Sequence, residues 1–335
     1  MKTPYPFSAI VGQEMLKTAL SIVAVDPHIG GVLAFGDRGT GKSTAVRALA
    51  NLLPNMPVRE GCAYNCVPGR ESCPEQSVCA ARTEGEAPIP VVDLPLGSTE
   101  DRIVGALDLE RALSRGEKVF EPGLLARATR GFLYIDEVNL LEDHLVDLLL
   151  DVASSGENVV EREGLSIRHG AQVVLVGSGN PEEGELRPQL LDRFGLSVEV
   201  RTPTDLKSRI EVVLRRDAFE RDREAFARKW QPADRKIQAR IEVARERLDA
   251  VSVPRPVLEK ASSLAIALGT DGLRGELTLM RAARALTAFE GRKKVRIQDL
   301  RAVAGMALSH RLRRDPLDES GSAVRVLRAV DEVCA

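Results

Sequence analysis

The chain has 335 residues, 44% hydrophobic and 29% charged, which is ample material for a buried core and excludes a disordered or low-complexity polypeptide. Its 47 basic and 49 acidic residues leave a net charge of -2, and aromatics make up only 4%, which argues against a global field for nucleic acid and against base-stacking platforms. No apolar run approaches the roughly 18 residues a membrane span needs, residues 1–6 lack the layout of a secretory signal, and the five cysteines are an odd number, so the expectation is a soluble cytoplasmic protein.

The first half alternates short apolar runs with helical patterns, as parallel-sheet proteins do. Gly31 to Phe35 reads as a buried strand, followed by glycines and then a helix through Thr44 to Ala50. Phe132 to Ile135 is a second buried strand with a helix over Leu140 to Ser154, and Gln172 to Gly177 is a third strand. Between them Val159 to Ile167 reads as a hairpin turning at Gly164. From Asp205 to Ala250, 23 of 46 residues are charged, which reads as a solvated helical connector. From Pro254 onward the pattern is helical, with Gly272 and Gly291 as breaks. The expected organisation is an α/β domain over 1–204, a charged linker over 205–253 and a small α-helical domain over 254–335.

Gly36-Asp37-Arg38-Gly39-Thr40-Gly41-Lys42-Ser43 fits G-x-x-x-x-G-K-[ST] between a strand and a helix that continues through Thr44. Glycines let backbone N–H groups turn inward around phosphate oxygens, and the helix N-terminus adds a favourable dipole. Lys42 is expected on the β- and γ-phosphates and Ser43 on Mg2+, while Asp37 and Arg38 shape the loop. Asp136 and Glu137 follow the second strand at its carboxyl end, where α/β sheets gather their sites. Asp136 would hold the metal of MgATP, and Glu137 would be the general base on the attacking water. Asn180, after the third strand, can orient that water, although Asn-Pro is also a turn signal. Arg193 reads either as an ion pair with Asp192 or as an arginine supplied to a neighbouring subunit's nucleotide.

Together these residues resemble the AAA+ ATPases. Ile10-Val11-Gly12-Gln13 resembles their box beside the adenine, which brings Val11 into the nucleotide contacts; Asn180 resembles sensor 1, Arg193 the trans-acting arginine finger, and Arg274 within Gly272-Leu273-Arg274-Gly275 sensor 2. Leu94 to Arg102, Glu121 to Ala126 and Gly131 to Leu141 resemble more specifically the family of the magnesium chelatase ATPase subunit, from Phe7 to about Arg314. The resemblance implies an AAA+ P-loop parallel-sheet domain with a helix-2 insertion and a pre-sensor hairpin insertion, plus a separate small α-helical domain. It also implies a homo-oligomeric ring, a hexamer, that uses ATP and Mg2+ in the cytoplasm of a bacterial phototroph, or in a plastid stroma. The implied partners are a larger AAA-like subunit with an integrin-type domain and a porphyrin-binding subunit, with which the ring drives Mg2+ into protoporphyrin IX for chlorophyll or bacteriochlorophyll synthesis. Neither nucleic acid nor a membrane span is implied. A cobalt chelatase ATPase or a MoxR-type chaperone shares the same ATP site and is the alternative. A ring helicase would want basic hairpin tips, whereas Glu161-Arg162-Glu163-Gly164 is acidic on balance; a scaffold that only binds nucleotide would not need Lys42, Asp136 and Glu137.

Several residues stay open. Cys62, Cys66, Cys73 and Cys79 are spaced C-x3-C-x6-C-x5-C, of which only the first gap suits zinc, so structural zinc, thiol redox control and an unliganded loop all remain, with the last preferred. Cys334 reads as an inert exposed thiol. Arg281 lies seven residues beyond Arg274 on the same helix face, with a solvated role preferred. His310, Arg311, Arg313 and Arg314 read as a solvated helix end.

Overall fold

The computed structural model describes all residues except 1–2, 38, 70–72, 163, 181–190, 313–321 and 335, and the side chain of residue 165. In chain order the strands are Val32–Gly36 (β1), the hairpin Met56–Arg59 (β2) and Glu84–Ala87 (β3), then Val91–Leu94 (β4). A second hairpin, Gly105–Leu107 (β5) with Phe120–Pro122 (β6), precedes Phe132–Ile135 (β7). A third, Glu157–Arg162 (β8) with Leu165–Gly170 (β9), precedes Val174–Gly179 (β10) and Leu196–Val200 (β11).

Five of these strands form one parallel sheet in the order β11-β1-β10-β7-β4. The central strands β1, β7 and β10 are almost wholly buried because both faces of the sheet are covered there, whereas the edge strands β4 and β11 each carry an exposed acidic residue. On one face Val32, Ala34, Tyr134, Val176 and Val198 pack with residues of the helices Glu14–Val25 and Lys42–Leu52. On the other, Leu33, Leu133, Ile135 and Leu175 pack with Leu145, Val146 and Leu149 of the helix Asp143–Ser155. That helix begins three residues later than the sequence suggests, because Glu137 adopts a left-handed backbone (φ 53) and a 3-10 turn, Val138–Leu140, follows. The third strand likewise runs two residues further, over Val174–Gly179, and so delivers Asn180 directly at its carboxyl end.

The segment between β4 and β7 carries the first insertion. Two short helices, Glu100–Val104 and Leu124–Ala128, flank the β5–β6 hairpin, whose connection carries a third, Leu109–Arg115. The β8–β9 hairpin leans on this insertion. Arg162 bonds Asp101 at 2.9 Å and also Glu100, while Asn158 Nδ2 donates to Val104 O at 2.8 Å.

The charged stretch differs from the connector expected of it. Residues 206–247 form two helices, Leu206–Arg221 and Arg223–Arg247, with i,i+4 ion pairs such as Arg216–Glu220 and Arg221–Asp217 on their outer faces. A few apolar residues anchor them: Phe219 and Phe226 close around Tyr5 at 5.0 and 5.5 Å between ring centroids, and Ile241 and Ala244 enter the main core. Composition averaged over all faces of a helix hides such a stripe. The helices Arg255–Leu268, Arg274–Phe289, Ile297–Leu308 and Ser322–Val333 complete the carboxyl-terminal part, and their buried side chains are continuous with the core beneath the sheet. Cys334, expected to be exposed, is 6% exposed at the end of the last helix, because Val330 and Val326 turn that face inward.

A candidate nucleotide-binding site

The loop after β1 depends on glycine at two positions. Gly36 has φ +144, and a Cβ there would meet Val200 O at 1.8 Å; Gly41 caps the helix Lys42–Leu52 with φ +82. The chain therefore turns tightly from the sheet into a helix whose first amide groups face the loop, the arrangement that receives phosphate. Lys42 Nζ donates to Gly36 O at 2.6 Å and Asp37 O at 3.0 Å, so the ammonium is held across the loop by its own carbonyls. Burial lowers the Lys42 pKa, and the charges of Asp136, Asp37 and Glu137 pull it back up. Lysine and both carboxylates after β7 are thus within electrostatic reach of one another. Asp37 accepts from Thr202 N and Oγ1 at 3.3 and 3.0 Å, tying the loop to the end of β11. Arg38 lies outside the described residues.

The box Ile10 to Gln13 adjoins the loop. Gln13, in a left-handed conformation (φ 55), donates from Nε2 to Thr40 O, and half-buried Val11 stands two residues before it. Ile10 packs against the main core.

Asp136 is gripped from two sides. Ser178 Oγ donates to its Oδ1 at 2.5 Å, and Tyr134 Oη donates to the same atom at 3.2 Å. Burial pushes the Tyr134 phenol up to about 12, so it stays a donor, and its hydroxyl also meets Ser43 and Ser178. Ser178 Oγ in turn accepts from Glu137 N at 3.3 Å, which fixes the left-handed turn at Glu137. A non-glycine residue held in that region at the end of a central strand is the sort of local strain that functional sites retain. Sequence reasoning missed both Tyr134 and Ser178. Tyr134 shares a strand face with Asp136 at i and i+2, and the pairing Gly177↔Ile135 sets Ser178 across from Asp136. Asn180, half-buried, stands two residues beyond Ser178.

Arg193 and Arg274 lie elsewhere. Gly195 N donates to Gly30 O at 3.1 Å, so the segment carrying Arg193 sits where β1 and β11 begin, not where they end. Arg274 reaches Asp192 at 3.3 Å. Both arginines line a cleft of about 700 Å³ whose floor includes Gly30, Phe132 and Val174, at the amino-terminal edge of the sheet. Six residues of extended chain separate Gly30 from Gly36, so this edge is about 20 Å from the phosphate loop. Within one chain the structure gathers Lys42, Ser43, Asp136, Glu137 and Asn180 at one end of the sheet and Arg193 with Arg274 at the other.

The pairing of Arg193 with Asp192 does not form. Arg193 binds Asp147 and Asp151 on the helix Asp143–Ser155, at 3.0 and 2.7 Å. Asp192 instead takes Arg311, which is almost fully buried and donates to Asp192 Oδ1 and O at 2.6 Å and to Phe194 O at 2.7 Å. His310 bonds Phe194 O at 3.0 Å, and burial holds its pKa down at about 3. Those two residues are therefore an internal bolt between the helical part and the Asp192–Phe194 segment, not a solvated helix end; Arg313 and Arg314 lie outside the described residues. Arg281, too, is engaged, donating to His28 O at 2.7 Å.

Comparison with known proteins identifies the family. The model of the magnesium chelatase subunit ChlI family matches residues 6–83 and 108–189, and the AAA lid domain model matches residues 258–330. The chain is similar to the magnesium-chelatase 38 kDa subunit of Cereibacter sphaeroides, 68% identical over 99% of each chain. It is also similar to the magnesium-chelatase subunit ChlI of a Nostoc species, 51% identical over 96% of this chain and 88% of that one. Among solved structures it resembles a chain of the complex between subunits BchI and BchD of magnesium chelatase, derived from a cryo-EM reconstruction, with 59% identity, full coverage of both chains and a TM-score of 0.58. A putative ATPase from Cytophaga hutchinsonii shares the fold at 16% identity, with a TM-score of 0.65 over 97% of this chain and 91% of that one. At 68% identity over nearly the whole length, and with a phosphate loop and paired carboxylates of its own, the chain belongs to the magnesium chelatase subunit ChlI family of AAA+ ATPases.

Proposed function

We propose that this chain is the ATP-hydrolysing subunit of a magnesium chelatase, and that it works as a homo-oligomeric ring in which each catalytic site is shared between two copies. The observation that carries the shared site is the separation of about 20 Å between the phosphate loop and the edge bearing Arg193 and Arg274. Neither arginine reaches the nucleotide of its own chain, whereas a neighbour docked edge to edge receives both.

In this reading the backbone of Gly36 to Ser43 cradles the phosphates, with Thr40 and Thr44 at the helix entrance and Val11 beside the base. Lys42 leaves the carbonyls of Gly36 and Asp37 for the β- and γ-phosphates. Ser43 and Asp136 hold the Mg2+ that accompanies ATP; hydroxyl and carboxylate oxygens are the donors this hard cation prefers. Tyr134 and Ser178 aim Asp136. Glu137 takes a proton from the attacking water, and Asn180 orients that water. Arg193 and Arg274 of the adjoining copy neutralise charge that develops on the transferred phosphoryl group, an effect of about 10³ to 10⁵ in rate for arginine fingers.

The relatives' names and the BchI–BchD complex support a larger chelatase subunit as partner, with a porphyrin-binding subunit completing the machine. Hydrolysis then drives insertion of Mg2+, here the substrate, into protoporphyrin IX in the bacterial cytoplasm. Among the described residues no helix is long and apolar enough to cross a membrane. The test is reconstitution with the two other subunits, protoporphyrin IX, Mg2+ and ATP, read by Mg-protoporphyrin fluorescence beside a Glu137→Gln control. ATP-dependent product absent from the control is expected. Hydrolysis without product would refute the magnesium chelatase reading and favour a cobalt chelatase or chaperone role.

A further inference from the structure

The loop between β2 and β3 runs from Glu60 to Thr83 and buries little of its own. Its cluster consists of Tyr64, Cys66, Cys73, Cys79 and Ala126, with Cys62 packed against it. So thin an apolar core does not by itself fix a loop of this length. The thiols, far from being scattered as their spacing suggests, converge: the Sγ atoms of Cys62, Cys66, Cys73 and Cys79 all lie within 4.8 Å of one another. Cys62 is 3.6 Å from Cys79 and 3.9 Å from Cys73. A tetrahedral zinc with four sulfurs at about 2.3 Å has sulfur–sulfur edges of about 3.8 Å. The cluster already has that size.

The geometry points to a structural zinc site formed by Cys62, Cys66, Cys73 and Cys79, which staples the β2–β3 loop to the core. Three observations favour one shared ion over thiol pairing. Cys62 is almost equally close to two other sulfurs, as around a common centre, whereas a disulfide would single out one partner. Cys62 and Cys66 sit on a tight turn, with Cys62 N donating to Arg59 O at 3.1 Å, Arg59 N donating to Cys66 O at 3.1 Å and Asn65 left-handed at φ 49; C-x3-C in a turn is a usual zinc half-site. The second pair has an unusually long gap because a helical turn, Gln76–Ala80, is folded into it, and Cys79 N bonds Glu75 O at 2.8 Å as that turn swings the thiol back. Most of the cluster is shielded from water, since Cys66, Cys73 and Cys79 are all buried. Four soft sulfur donors with no open position describe a structural site rather than a catalytic one.

Metal uptake here exchanges thiol protons for one cation, releases those protons to solvent and involves no redox step. The turn it locks is fastened to the rest of the domain. Asn65 Nδ2 donates to Arg127 O and Thr129 O at 3.1 and 3.2 Å, Arg130 Nη1 donates to Asn65 O at 3.1 Å, and the Tyr64 ring packs at a tilt against His169 of β9, 5.0 Å between centroids. The site therefore joins the loop to the first insertion and to the β8–β9 hairpin.

The experiment is metal analysis of the whole chain purified from zinc-supplemented cells in reducing, chelator-free buffer, by elemental and native mass spectrometry. One zinc per chain is expected in the wild-type protein and in Cys334→Ser, falling to less than a tenth in Cys66→Ser and Cys79→Ser. Cobalt added to the apo chain is expected to give thiolate charge-transfer absorption that the two variants lack. Because the variants' folding is itself at risk, the wild-type mass decides independently. A zinc-free wild-type chain, a disulfide from Cys62 to Cys73 or Cys79 under these conditions, or zinc retained in both variants would overturn the assignment.

Discussion

Replacing Ser178 with alanine probes the junction of the two carboxylates directly. Ser178 is 1% exposed, donates to Asp136 at 2.5 Å and accepts from the Glu137 amide at 3.3 Å. A hydrogen bond to a charged partner is worth about 1.5–3 kcal/mol, and because Asp136 is open to solvent the lower end applies, about 1.5 kcal/mol. That corresponds to about a tenfold effect. The Glu137 amide loses its acceptor at the same time, and the left-handed turn, which costs a non-glycine residue about 1–2 kcal/mol, loses a constraint. Lys42 and the loop glycines are untouched. The expected result is therefore a fall in kcat of about tenfold or more, a KM for MgATP within about twofold of wild type, and a higher Mg2+ concentration for half-maximal rate. Steady-state ATPase assays across MgATP and free Mg2+ measure all three, and a thermal melt shows whether the fold survives. A kcat within about twofold of wild type in a folded Ser178→Ala chain would refute the idea that this hydroxyl holds the catalytic pair.

The other predictions follow from the same geometry. Lys42→Ala should abolish nucleotide binding in calorimetry, and retained binding would remove the phosphate loop assignment. Glu137→Gln should keep ATP bound but lose about 10²- to 10⁴-fold in turnover, the usual contribution of a general base; a near-normal rate would exclude Glu137 from that role. Arg193→Ala subunits mixed into wild-type rings should depress ATPase more than dilution predicts, and strict proportionality would argue against a finger acting in trans. His310 is buried with its pKa lowered to about 3, so between about pH 6.5 and 3 the unfolded chain binds a proton the folded chain refuses. Stability then falls as pH drops through that window, by up to about 1.4 kcal/mol per pH unit. His310→Asn should flatten this part of the acid limb in denaturant titrations, and an unchanged slope would contradict the buried neutral imidazole.

How much was legible in the sequence depended on whether chain spacing and spatial spacing coincide. In Gly36 to Ser43 they do, because one turn of backbone makes the whole phosphate cradle, and Asp136-Glu137 is likewise a local signal at a strand end. Ser178 was illegible, since Gly-Ser-Gly reads as a turn and only the parallel pairing of β10 with β7 sets it opposite Asp136. The convergence of the four cysteines was illegible for the same reason: gaps counted along the chain did not reveal that a helical turn shortens the last one in space. Charge was the least reliable guide. Arg311 and the stretch from Asp205 to Ala250 look solvated by composition, yet one buried guanidinium and a few apolar side chains per helix decide where they pack.

The contrast between Asp192 and Arg193 has a mechanical consequence for the ring reading. These neighbours are held by different parts of the molecule: Asp192 by Arg311 and Arg274 of the helical part, Arg193 by Asp147 and Asp151 of the helix Asp143–Ser155 on the opposite face of the sheet. The first attachment is mostly buried and reinforced by His310 on Phe194, so it moves only if the helical part moves. The second is between partly exposed charges, worth about 0.2–1 kcal/mol for each pair, and gives way readily to a more strongly charged partner such as a triphosphate. The segment is thus tied both to the helical part, through Asp192, and to its own sheet, through buried Phe194 and the Gly195–Gly30 hydrogen bond, and only the Arg193 side chain is weakly held. In the ring reading a neighbour's nucleotide would therefore free the Arg193 side chain at small cost, while Asp192 would stay with the helical part.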